Sequence, residues 1–165
     1  MTNSNPLLSK DSLCRFYIDC EFNEHEGSLI SMAIVPEHGN DGIHITLING
    51  PPVTSSWVRE NVLPILTSHK ADINMFCDEK EVGQVIKEFI GECEHPIIIA
   101  DSPVDIGRFC KALSTGTDGN WESTSYPKMT FEVYNVDCYP TNLEGAVQHN
   151  AWYDAMALRF KLVGY

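Results

Sequence analysis

Positive charge is what this chain has least of. Its 11 Lys and Arg stand against 23 Asp and Glu, giving a net charge of −12 and a pI near 4.7. Broad contact with a phosphate backbone needs a basic face, so a nucleic-acid role here would have to rest on local cations: bound metals and a few placed Lys or Arg. No apolar run approaches the ~20 residues of a membrane helix, and no membrane association is expected. The six cysteines include no C-x-x-C pair. Zinc is therefore not expected, and the thiols should be reduced and mostly buried in a cytoplasmic setting. Residues 1–12 form a polar stretch without the basic start or apolar segment of a secretion signal, and are expected to be a short flexible lead. Repeats and low-complexity tracts are missing as well. What remains is an ordinary globular composition, 43% hydrophobic and 21% charged in 165 residues. That suits a single domain over 13–165 with a core that needs no staples.

The order of elements points to an α/β layer design. Segments 13–22, 28–35 and 42–49 are rich in β-branched and aromatic residues and predict an antiparallel meander. A helix is predicted near 56–66, with Ser55 or Ser56 as its cap and Val58, Val62, Ile65 and Leu66 on one face. Val82, Val85, Ile86, Phe89 and Ile90 form one apolar stripe and predict a helix over 79–91. Pro96 to Ala100 is a continuous apolar run suited to a strand buried on both faces. Asp101-Ser102-Pro103 then opens a helix to about Leu113, with Asp101 taken as a cap at the strand end. A loop over 114–130 carrying Trp121 and Tyr126, a strand near 131–137 and a helix over 151–162 complete the chain. The expected architecture is a mixed central sheet flanked by helices.

Chemistry enters on the first strand. Side chains of a strand alternate, so Phe16, Ile18 and Cys20 share one face, while Tyr17, Asp19 and Glu21 share the other. Two carboxylates roughly 7 Å apart on a mostly apolar strand repel and are costly to bury, unless a divalent cation lies between them. Asp105 falls in the first turn of the third helix, where an acid also complements the helix dipole. Further on, His149-Asn150-Ala151-Trp152-Tyr153-Asp154 places Asn150 as a cap, His149 just outside the helix and Asp154 one turn in. Five helical steps would turn the pair about 140° apart. A His in the preceding loop is instead free to fold over a metal held by Asp154. Ala151, Ala155 and Leu158 give that helix a small-residue face for close packing on the sheet.

In this order the three motifs, FYIDCEF, VDIGRF and HNAWYDA, resemble those of the DEDD superfamily of 3′-to-5′ exonucleases, in its histidine branch. The resemblance spans residues 16–160, and the tyrosine branch would have Tyr where this chain has Asn150. Asp105-Ile106-Gly107 matches the second motif closely and favours Asp105 over Asp101 as the site acid. The small size is similar to that of oligoribonuclease-like and ribonuclease T-like enzymes. One departure stands out: Asp101-Ser102-Pro103-Val104 replaces the His-Asn pair that many members carry before the Asp, so a contact to substrate sugar or base is expected to differ.

The resemblance implies a ribonuclease H-like fold and two divalent cations, Mg²⁺ or Mn²⁺, held by Asp19, Glu21, Asp105 and Asp154, with His149 as general base. The expected activity is release of nucleoside 5′-monophosphates from the 3′ end of single-stranded nucleic acid, RNA in preference to DNA. Relatives of this size are often homodimers, which the acidic surface neither supports nor excludes. Phe22 is a candidate to stack on a terminal base, with core packing as the other reading. Arg108 and Lys111 read as a solvated helix face or as phosphate contacts. A DNA-trimming exonuclease, a catalytically inactive nucleic-acid-binding module, a structural metal-binding protein and a ribonuclease H-type endonuclease remain as alternatives.

Overall fold

A computed structural model describes residues 14–24, 27–38, 41–91, 93–115, 126, 128–137, 139–140 and 143–164. Its elements run β1 (Arg15–Phe22), β2 (Leu29–Pro36), β3 (Ile43–Leu47), α1 (Ser56–Asn61), a 3₁₀ turn (Leu63–Ile65), β4 (Ile73–Cys77), α2 (Val82–Ile90), β5 (Ile97–Ala100), α3 (Pro103–Leu113), β6 (Thr130–Val133) and α4 (Ala151–Val163). The strands form one mixed sheet in the order β4-β3-β2-β1-β5-β6. β2 pairs antiparallel with β1 and β3, while β4 runs parallel to β3, β5 to β1 and β6 to β5. The expected mixed α/β sheet flanked by helices is what the chain forms.

Strand alternation sorts the core into two layers. Phe16, Ile18 and Cys20 join Met32, Ile34, Ile45 and Ile98 against Ile86 and Ile90 of α2 and Phe109 of α3. Tyr17 joins Ala33, Val35 and Ile99 against Ala151, Ala155 and Leu158 of α4. The small-residue face anticipated for the final helix therefore packs on the sheet, and at ~25 cal/mol per Å² both apolar layers stabilise it. Asp19 and Glu21 continue along the Tyr17 face of β1. The acids thus lie on the side of the sheet that α4 covers.

Several expectations are corrected. The helix over 56–66 stops at Asn61, and Pro64 falls in a 3₁₀ turn, because proline cannot donate the hydrogen bond that a continuing α-helix requires. β4 was not anticipated. It is an edge strand, mostly exposed, so it lacks the alternating pattern that marks a half-buried strand. Asp101 does not cap α3: Ser102 does, its hydroxyl accepting the Val104 N–H at 3.1 Å. The cysteines are not all reduced either. Cys14 and Cys93, 79 residues apart, form a disulfide, because the parallel pairing of β1 with β5 brings the chain just before each strand together. Cys20 and Cys77 are free and buried, and Cys110 is free and exposed. The proposed lead over 1–12, most of the 114–130 loop including Trp121, and Cys138 lie outside the described residues. Among the described residues no helix is long and apolar enough to cross a membrane.

Candidate metal centre

The site starts from a mismatch in strand length. β2 accompanies β1 as far as Phe22, but β5 pairs only with Arg15–Tyr17. Beyond Tyr17, the edge of β1 that faces β5 is open, and α3 begins beside it. A buried N–H in such a gap needs an acceptor. Asp105, in the first turn of α3 and only 5% exposed, supplies it: its Oδ1 accepts the Cys20 N–H at 3.1 Å. The hydrogen bond lands on the residue between Asp19 and Glu21.

The third motif is fixed by Asn150, which is fully buried. Its Oδ1 accepts the Trp152 N–H at 3.2 Å and caps α4. Its Nδ2 donates to the carbonyls of Ile65 at 2.7 Å and Leu66 at 3.3 Å. His149 precedes the cap with a left-handed backbone, φ 63°. That turn brings His149 and Asp154 to one cleft of about 250 Å³, lined also by Asp19, Asp101, Val136, Asp137, Tyr139 and Gln148.

The carboxylates fall into two overlapping groups. Single oxygens of Asp19, Glu21 and Asp154 lie within 4.8 Å of one another, as do those of Asp19, Asp101 and Asp105. Asp19 belongs to both. All four acids expected from the motifs are therefore brought together, and His149 lines the cleft that Asp19 and Asp154 also line. Asp101 is the acid whose place was misjudged, since adjacent Asp and Ser both make good caps and only the structure shows which one does so. Asp137, Tyr139 and Gln148 were also missed. Gln148 adjoins His149 in sequence, but nothing in the pattern marks the other two.

The electrostatics are those of acids crowded together under partial burial. Burial raises Asp19 well above the usual carboxylate range, and Asp105, Asp154, Glu21 and Asp101 push it further. Glu21 is raised to about 8, by burial and then by Asp154 and Asp105. Asp105 is raised to about 7 by burial and Asp101, against the pull of the Cys20 hydrogen bond. Asp154 also reaches about 7 through burial, although hydrogen bonds from the His149 and Asn150 backbone lower it. Burial raises Asp101 as well, and lowers His149. A divalent cation would reverse the penalty on the carboxylates. An all-oxygen set without cysteine suits Mg²⁺ or Mn²⁺ better than zinc, so these residues fit such ions.

Other candidates are placed as follows. Phe22 is partly buried against the main core, with the Arg108 guanidinium 4.8 Å above its ring. Arg108 also donates to the Gly27 carbonyl, so it ties the turn after β1 to α3 in place of forming a merely solvated face. Trp57 is exposed and packs against His149, and Tyr126 lies under the Lys87 ammonium. No protein-family profile matches the chain, and no curated protein sequence matches it either.

Proposed function

We propose that this chain is a divalent-metal-dependent 3′-to-5′ exoribonuclease of the DEDD type, histidine branch, with a ribonuclease H-like fold. Its substrate would be single-stranded RNA, released as nucleoside 5′-monophosphates. One observation carries the reading: Asp19 and Glu21, Asp105, and His149 with Asp154, remote in sequence, converge on one centre. The meander followed by alternating helices and strands agrees with the fold that the motifs imply. The preference for RNA over DNA rests on the resemblance to small single-domain exoribonucleases.

Divalent ions held by these carboxylates would supply charge neutralisation for the scissile phosphate and the leaving oxygen and activation of water. Asp19 is shared by both carboxylate groups and would help to hold the ions of each. Glu21 and Asp154 would complete one site, and Asp105 the other, with Asp101 beside it. His149, kept neutral by partial burial, would accept the proton of the attacking water. Asp105 also braces the strand that presents Asp19 and Glu21.

Linear and circular single-stranded RNA and DNA of one sequence, incubated with Mn²⁺, test the activity. Nucleoside 5′-monophosphates from linear RNA and no cutting of the circle are expected. Cleavage of the circle would replace the reading with an endonuclease, and faster loss of linear DNA would replace the substrate.

A further inference from the structure

Trp57 stands on α1, outside all three motifs, and is 49% exposed. Its indole meets the imidazole of His149 nearly at right angles, with centroids 4.8 Å apart and planes at 82°. Aromatic rings favour this edge-to-face arrangement over a face-to-face sandwich.

The segment 52–66 that contains the short helix of Trp57 is fastened at both ends by asparagines from the motif regions. Asn23, one residue past β1, accepts the N–H groups of Thr54 at 3.1 Å and Ser55 at 3.3 Å through its Oδ1. Its Nδ2 donates to the Pro52 carbonyl at 3.3 Å. At the other end, Asn150 holds the carbonyls of Ile65 and Leu66. Arg59 closes the loop before the helix by donating to the carbonyls of Val53 at 3.0 Å and Thr54 at 2.8 Å. The segment 52–66, which contains α1 and the 3₁₀ turn, therefore spans from the end of the acid-bearing strand to the cap of α4. Trp57 lies where that brace passes the residue before the cap.

His149 needs such support. It sits in a loop with a left-handed backbone, and among the described residues no hydrogen bond holds its ring. A general base works only if its nitrogen points at the proton it takes. Trp57 is not among the residues that line the cleft of Asp19, His149 and Asp154, and its ring contact is with His149.

We propose that Trp57 is a positioning residue that holds the His149 imidazole in its proton-accepting orientation by ring contact. This rests on the nuclease reading above. The test compares the wild-type chain with Trp57→Leu and Trp57→Phe, using a single-stranded RNA oligomer and Mn²⁺. Trp57→Leu should lower kcat by about ten- to a hundredfold with KM changed less than about twofold. Trp57→Phe, which keeps a ring, should recover most of the loss. In the metal-free chain, NMR of the His149 ring protons should show an indole ring-current shift that disappears in Trp57→Leu. A rise in KM at constant kcat would mean that the indole touches substrate, and would overturn the proposal. Unchanged kcat, or His149 resonances identical in wild type and Trp57→Leu, would overturn it as well. A wild-type chain inactive on both RNA and DNA would instead remove the nuclease reading, and this role with it.

Discussion

The Asp105 carboxylate accepts the backbone N–H of Cys20 at 3.1 Å, and so joins the first turn of α3 to the strand between Asp19 and Glu21. Asp105 has two duties, one electrostatic and one structural, and two substitutions separate them. Asp105→Asn keeps an acceptor and removes a repelling charge. Asp105→Ala removes both and leaves the Cys20 N–H unpaired, a loss of about 1–3 kcal/mol. Urea unfolding without metal should find the Asn variant the more stable of the two, with both variants losing turnover. Equal stability would show that the hydrogen bond contributes nothing.

The raised carboxylates set the pH dependence of the metal-free chain. Glu21 at about 8 and Asp105 and Asp154 at about 7 hold protons that the unfolded chain releases near pH 4. The folded state thus binds more protons between these limits, and its stability falls as pH rises through them. Mn²⁺ competes with those protons. Thermal unfolding should show a Tm increase on adding Mn²⁺ that is larger at about pH 8 than at about pH 5. An increase independent of pH would contradict the shared centre.

His44 works in the opposite direction. Buried and packed against His69 with ring centroids 4.0 Å apart and planes tilted by 37°, it is lowered to about 3 by burial and then by His69. Its Nε2 is buried without a hydrogen-bond partner. The unfolded chain takes up this proton below about 6.5. The stability that neutral His44 contributes is therefore complete above that pH and lost as pH falls towards 3. Denaturant unfolding of His44→Phe should gain on wild type progressively as pH drops from about 7 to about 5. Parallel pH profiles would rule this out.

The Cys14–Cys93 disulfide closes a loop between residues 79 apart, and chain entropy assigns such a loop about 4.5 kcal/mol. Alkylation without reductant, read by mass spectrometry, should leave both cysteines unmodified, and reduction should lower the unfolding midpoint. Ready labelling of both without reductant would contradict the pairing.

How much of this was legible in the sequence depended on range. The shared face of Asp19 and Glu21 follows from strand alternation, and the Asn150 cap from residues two apart, so both could be read directly. The convergence of Asp105 and Asp154 on Asp19 came only through motif resemblance, because local pattern does not report contacts across 50 or more residues of chain. The same range hid the bond of Asn150 to Ile65, the packing of Trp57 on His149 and the disulfide. Asp101 was misplaced for a local reason: two capping residues stood side by side, and the backbone chose Ser102.

Whether the acid cluster is a nuclease centre is decided by a time course on 5′-labelled single-stranded RNA, run with Mn²⁺ and with EDTA, for wild type, His149→Ala and Asp19→Ala. A metal-dependent ladder shortening from the 3′ end is expected in wild type alone, with His149→Ala still gaining Tm from Mn²⁺ and Asp19→Ala gaining none. RNA left intact by wild type in Mn²⁺, or an undiminished ladder from Asp19→Ala, would contradict it.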